Sequence, residues 1–153
     1  MTIRAMKAPD YAAYCALMEE LHGLHRAARP DIYASELALP DEAAFAEMLK
    51  DEICLVCEDA GRAIGMAVMR LRTYAHPAVK THTVGWIEDI CVAREARGRG
   101  AGRLIYEALM REAKRANIER VELNVWAFNE EARAFYEHMG MSERSRVMEA
   151  RVK

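Results

Sequence analysis

Arg97-Gly98-Arg99-Gly100-Ala101-Gly102-Arg103 separates a strand-like apolar run, Thr83 to Val92, from a helix-like run, Arg103 to about Asn117. Three glycines alternate with other residues, so the backbone is nearly bare of Cβ atoms and its N–H groups can approach an anion closely. The following helix adds its positive N-terminal end. Arg97, Arg99 and Arg103 add guanidinium groups suited to phosphate oxygens. A diphosphate is the natural occupant. The spacing G-x-G-x-G departs from the G-x-G-x-x-G of dinucleotide-binding turns, and Ala93 to Arg97 hold the first glycine away from the strand end. Only Glu122, about twenty positions on, meets that motif's demand for a later acid. A P-loop would need Gly-Lys followed by Ser or Thr, which is absent.

Outward from this loop, Val121 to Trp126 alternates as a strand. Asn129 to Met139 is helical, with Gly140 as its stop, and Val147 to Val152 reads as a last strand. Towards the N-terminus, Ile53 to Glu58 and Ala63 to Leu71 form a hairpin around Asp59-Ala60-Gly61-Arg62. Arg72 to His82, interrupted by Pro77, is expected to be a loop. Thr2 to Met6 is a short strand. Pro9-Asp10 opens a helix in which Tyr11, Tyr14, Met18 and Leu21 recur on one face to about Ala28, and Pro40-Asp41 opens a shorter one. The order β-α-α-β-β-β-α-β-α-β predicts an α+β domain. Its mixed sheet would be mostly antiparallel, with one parallel pair joined by a right-handed helical crossover.

The chain has 153 residues, 52% hydrophobic and 30% charged, which is the balance of a folded domain rather than a disordered one. A single domain over 1–153 is expected. With 22 basic and 24 acidic residues the net charge is −2, which disfavours a nucleic-acid or membrane-surface protein. No apolar run approaches the roughly 20 residues of a membrane span, and Met1 to Asp10 lacks a secretory pattern. A soluble cytoplasmic protein is expected. Cys54 and Cys57 form a C-x-x-C inside an apolar strand, which points their side chains to opposite faces, so these cysteines read as small buried hydrophobes. No metal site is expected, because H-x-x-H at His22 and His25 has no third ligand nearby in sequence.

Several motifs in order resemble the GNAT acetyltransferases. Arg97 to Gly102 is similar to that family's R/Q-x-x-G-x-G/A pyrophosphate loop, and Trp86-Ile87-Glu88-Asp89-Ile90-Cys91-Val92 to its fourth strand. Asn124-Val125-Trp126-Ala127-Phe128-Asn129 and Ala132 to Gly140 resemble its fifth strand and the helix after it. The resemblance implies an acyl-CoA-binding mixed sheet, splayed between its fourth and fifth strands, with about four flanking helices. It implies acetyl-CoA as acyl donor and a small-molecule, peptide or protein amine as acceptor. Direct transfer in a ternary complex is expected because no residue has the surroundings of an acyl-carrying nucleophile. Cofactor contacts would come from Ile90, Cys91 and Val92, from Arg97, Gly98, Arg99, Gly100, Ala101, Gly102 and Arg103, and from Asn124, Asn129 and Tyr136. Dimers are common in the family, so a homodimer is one expected assembly.

Acetyl transfer to an amine needs a neutral amine, a donor to the oxyanion and a proton for the leaving thiolate. By resemblance Glu88 is the expected general base. Strand alternation puts it on the face of Trp86 and Ile90 with Asp89 opposite, and Asp89 stays in reserve because the family's fourth strand often bulges. By resemblance, backbone N–H groups of Ile90 to Val92 would serve the oxyanion. Tyr136, seven residues and about two helical turns after Asn129, is the expected acid. By resemblance, His22, His25 and Tyr33 would line the acceptor pocket that Glu88 serves, and Tyr74, His76, His82 and Trp86 form a second candidate acceptor wall. The rival reading is a non-catalytic acyl-CoA-binding sensor or regulatory domain that retains the loop without turnover.

Overall fold

The structure is a computed structural model that describes residues 1–152. Strand β1 (Thr2–Ala5) leads through a 3-10 turn at Ala8–Asp10 into helix α1 (Tyr11–Ala28). Asp10 organises this entry: Arg4 grips its carboxylate at 2.8 and 2.9 Å, and the Lys7 N–H donates to it at 2.8 Å. Helix α2 (Glu42–Asp51) is capped by Asp41, which accepts from the Ala44 N–H at 2.8 Å. Strands β2 (Ile53–Asp59) and β3 (Arg62–His76) turn at Ala60-Gly61, both at positive φ, the two-residue geometry that fits strand twist. Strand β4 (Val79–Val92), helix α3 (Ala101–Arg115), strand β5 (Val121–Leu123) and helix α4 (Glu130–His138) complete the elements.

The five strands lie in the order β1-β2-β3-β4-β5, antiparallel except for β4 and β5, which are parallel and joined by α3. This is the mixed sheet with flanking helices that the sequence predicts. Helix α3 buries Ala101, Ile105, Ala108, Leu109 and Ala113. Helices α1 and α2 supply Tyr14, Leu17 and Phe45, with the two aromatic rings 5.0 Å apart. Cys54, Cys57 and Cys91 are buried free thiols, consistent with a packing role. No helix among the described residues is long and apolar enough to cross a membrane.

Three expectations are corrected. Arg72 to His82 is not a loop, because β3 and β4 stay paired to His76↔Val79 around a tip at Pro77-Ala78. A Thr73–Thr83 hydroxyl hydrogen bond of 2.8 Å and the stacking of Tyr74 on His82 at 5.3 Å extend the ladder. Pro77 sits at the tip, where no ladder N–H is required. Strand β5 stops at Leu123 rather than Trp126, since its partner β4 diverges there. Val147 to Val152 is not a strand in the single chain. Residues 141–152 have no regular structure, and Glu149 and Arg151 pair with Arg29 (2.9 Å) and Asp31 (3.5 Å).

The sheet leaves no room at Gly65. A Cβ there would stand 2.9 Å from the Cys91 carbonyl oxygen and 2.9 Å from Ile105 Cδ1. Gly65→Ala is expected to cost about 1–3 kcal/mol, as overpacking does. Thermal unfolding should show the midpoint lowered by several degrees.

Candidate active site

The β4–β5 pairing lasts only from Gly85↔Val121 to Ile87↔Leu123. Beyond it β4 runs on through Glu88 to Val92 with β3 alone, so the sheet splits along one edge of β4. Ile90, Cys91 and Val92 lie on this unshared stretch, and Asn124 lies just past the end of β5.

A register slip occurs at the same level. Val68 opposes Asp89 while Met69 opposes Ile87, which leaves Glu88 as the extra residue of a β-bulge. The expected alternation is thereby corrected. Asp89 joins the face of Trp86, since their partners Val68 and Arg70 are two residues apart, and Ile90 turns to the opposite face. Glu88 is committed to cations, lying 2.8 Å from Arg70 and 3.4 Å from Arg72. Arg72 in turn covers the Trp86 ring at 4.0 Å.

Asp89 has a different environment. Arg70 spends its guanidinium on Glu88 and on Glu52 (2.8 Å), and the second oxygen of Glu52 is buried without a hydrogen-bond partner among the described residues. Burial, followed by the nearby charges of Glu88 and Glu52, pushes the Asp89 carboxyl up to about 6. Tyr14 on α1 faces the same group, and its phenol is pushed up to about 12 by burial and then by Asp89. Glu52 and Arg70 were absent from the sequence reading, because nothing local links them to residue 89.

The glycine-rich loop begins at a 3-10 turn, Arg94–Ala96, and ends where Gly100 caps α3. Gly98 (φ 73°) and Gly100 (φ 87°) are left-handed, a conformation that glycine alone adopts freely, and open space lies beyond both. Gly100 has no side chain to bond the first amides of α3, so these donors face outward. Arg97 braces the loop: its Nε donates to the Val92 carbonyl (3.0 Å) and its Nη2 to Glu20 on α1 (2.7 Å). Arg99 pairs with Asp59 (2.6 Å) and Arg103 with Glu107 (2.8 Å), both exposed contacts that a ligand could exchange at little cost.

Helix α4 packs on the first turn of α3, where a Cβ on Gly102 would touch the Phe135 ring at 3.5 Å. Asn129 is the α4 N-cap, its Oδ1 accepting from Ala132 at 3.1 Å, which leaves its amide donors for other contacts. Burial pushes the Tyr136 phenol well above its usual range, so it holds its proton.

Beside the β5–α4 connection, His22, His25 and Tyr33 come together. Tyr33 stacks on His25 at 5.1 Å and meets His22 edge-on at 5.8 Å. Trp126 donates its indole N–H to the Tyr33 hydroxyl (2.6 Å), and Phe128 lies 6.0 Å from His25. The sequence reading named neither Trp126 nor Phe128 as site residues, although Trp-Ala-Phe after a strand is an aromatic-rich connection. Trp86 contacts Arg72 on the sheet rather than this cluster, and Tyr74 and His82 stack on each other farther along the hairpin.

Asp89 gives a pH test of the fold. Its folded pKa lies above the ordinary 3.8, so below about pH 4 it is protonated in both states and costs nothing. Between about pH 4 and 6 the unfolded chain ionises this carboxyl while the folded state still holds its proton, and stability falls by about 3 kcal/mol from this group. Asp89→Asn is expected to remove that decline and to be more stable than the parent at pH 7 but not at pH 4, as measured by urea unfolding.

The profile of the Acetyltransferase (GNAT) family matches residues 17–141. A probable glucosamine 6-phosphate N-acetyltransferase of Oryza sativa subsp. japonica is 32% identical, over 93% of this chain and 82% of its own. The crystal structure of a point mutant of BH1408 protein from Bacillus halodurans superposes on the whole chain with a TM-score of 0.93 at 29% identity, and is itself covered in full. An aminoglycoside N-acetyltransferase solved in complex with CoA shares the fold, with a TM-score of 0.74 and 19% identity over 99% of both chains. The matched span contains the bulged strand, the glycine-rich loop and the split in the sheet, and on it the chain belongs to the acetyltransferase (GNAT) family and is an acyltransferase.

Proposed function

We propose that the protein transfers the acetyl group of acetyl-CoA to a primary amine by direct transfer in a ternary complex. The observation that carries this reading is the bulge at Glu88, which brings a half-buried, weakly compensated carboxyl, Asp89, to the level where β5 leaves β4. Asp89 is the general base in this reading and takes a proton from the incoming ammonium, directly or through water. Glu88 serves as a charge partner of Arg70 and Arg72. The outward amides at Gly98 to Arg103 suit a diphosphate, with Arg99 and Arg103 free to turn from their exposed partners. Acetyl-CoA supplies an activated thioester. Asn129 offers amide donors to the pantetheine arm, amides of Ile90 to Val92 polarise the reacting carbonyl, and Tyr136 returns a proton to the thiolate. The acceptor lies towards His22, His25, Tyr33 and Trp126. An amino sugar phosphate is the first acceptor to test, because the rice relative is named for one.

Release of CoA should be followed with acetyl-CoA and a panel of amino sugar phosphates, aminoglycosides and peptide amines. Asp89→Asn is expected to lower kcat by about 10²–10⁴-fold, the range of general-base catalysis, and Glu88→Gln by less than about 10-fold. A reversed pattern would return the base to Glu88. The rate kcat/KM should decline as pH falls through about 6, where Asp89 gains its proton. Tyr136→Phe is expected to lower kcat by about 10²-fold with KM for acetyl-CoA little changed. Binding of acetyl-CoA without turnover of any amine would support the sensor reading instead.

A further inference from the structure

Glu52 stands where two local rules count against a carboxylate. It closes helix α2, its N–H donating to the Met48 carbonyl at 2.9 Å, so its charge lies at the negative end of that helix. Its side chain is only 14% exposed, and one of its oxygens, Oε2, is buried without a hydrogen-bond partner among the described residues. An unpaired buried acceptor and an acid at a helix C-terminus both cost stability. A position that breaks two local rules at once points to a task other than holding the fold.

The other oxygen shows what that task is. Glu52 Oε1 accepts from Arg70 Nη2 at 2.8 Å, and Arg70 Nε lies 2.8 Å from Glu88. A guanidinium is rigid and planar, so contacts at two of its nitrogens fix where it lies, and neither contact is to Asp89. The other groups around Asp89 are settled. On its own strand Glu88 faces Arg70 and Arg72, and Cys91 is a buried thiol pushed up to about 11 and so neutral. On α1, Tyr14 keeps its phenolic proton. Without Glu52, Arg70 would keep only Glu88, the chain neighbour of Asp89, and would be free to bridge the two carboxylates.

We propose that Glu52 is a positioning residue for the acetyl transfer: it holds Arg70 off Asp89 and so keeps that carboxylate free to take the proton of the amine. The inference rests on Asp89 being the general base. A proton passes from the ammonium nitrogen to a carboxylate oxygen of Asp89, and the nitrogen lone pair it leaves behind attacks the thioester carbon. An arginine bridging onto Asp89 would favour its charged form and make it a poorer proton acceptor.

Titration of the Asp89 carboxyl by carbon-13 NMR in the full chain, beside the pH profile of kcat/KM, tests this. The parent is expected to titrate at about 6. Glu52→Ala should lower the midpoint by about one unit or more, as for a carboxyl brought beside an arginine. Glu52→Gln, which still offers Arg70 an oxygen, should lower it by less. The low-pH limb of kcat/KM should move with the midpoint, and KM for acetyl-CoA should stay unchanged. A midpoint that stays at the parent value, with Asp89→Asn still inactive, overturns the inference and leaves the base in place. Equal shifts in the two variants show that the charge of Glu52 acts without Arg70, and also overturn it. Should Glu52→Ala not fold, Glu52→Asp decides, because it keeps the charge but is one methylene shorter: a lowered midpoint supports the hold on Arg70, and an unchanged one overturns it. A midpoint that moves while the kcat/KM limb does not would sink Asp89 as the base, and leave standing only the hold of Glu52 on Arg70.

Discussion

Strand β4 has two edges and must serve two partners. Along β3 it is paired over nearly its whole length, but along β5 the pairing is only three residues long before the strands part. A parallel strand without its neighbour leaves backbone groups that ask for another partner. The bulge at Glu88 falls where the parting begins, adding local twist to β4 at that point. The cleft, the facing of Asp89 and the early end of β5 all follow from this one irregularity.

The charge arrangement around the bulge follows from geometry and not from composition. One guanidinium, Arg70, lies between two carboxylates, Glu52 and Glu88, and a third, Asp89, stands close by, half-buried. Three acids around one cation cannot all be compensated, and the most buried of them holds its proton most tightly. Burial also pushes the Glu52 carboxyl up, against the pull of Arg70. Such an arrangement costs stability at neutral pH and leaves a carboxyl that exchanges its proton near pH 6, which is what the proposed general base requires.

At the glycine-rich loop, the three arginines that look equivalent in sequence have separate tasks. Arg97 ties the loop to Val92 and to α1, and so fixes where the α3 amides point. Arg99 and Arg103 remain on the surface in exchangeable pairs. The aromatic group of Tyr33, Trp126 and Phe128 is likewise assembled from segments more than ninety residues apart in the chain, with Trp126 bonded to Tyr33 across 93 positions.

Local signals in the sequence sufficed wherever the physics is local. The α1 and α3 stripes, the Asp41 cap, the Ala60-Gly61 turn and the left-handed glycines are decided by residues within a turn or two of one another, and they appear where the pattern places them. The order of elements was enough to indicate a mixed sheet with one parallel pair. Side-chain facing at Glu88 and Asp89 was not legible, because one inserted residue in a ladder inverts every facing beyond it. The partnership of Arg70 with Glu52 and Glu88, and the brace from Arg97 to Glu20, depend on approach between distant segments. The C-terminal run makes the same point from the other side: alternation gives a segment the capacity to be a strand, but a strand exists only where tertiary or quaternary structure brings it an edge.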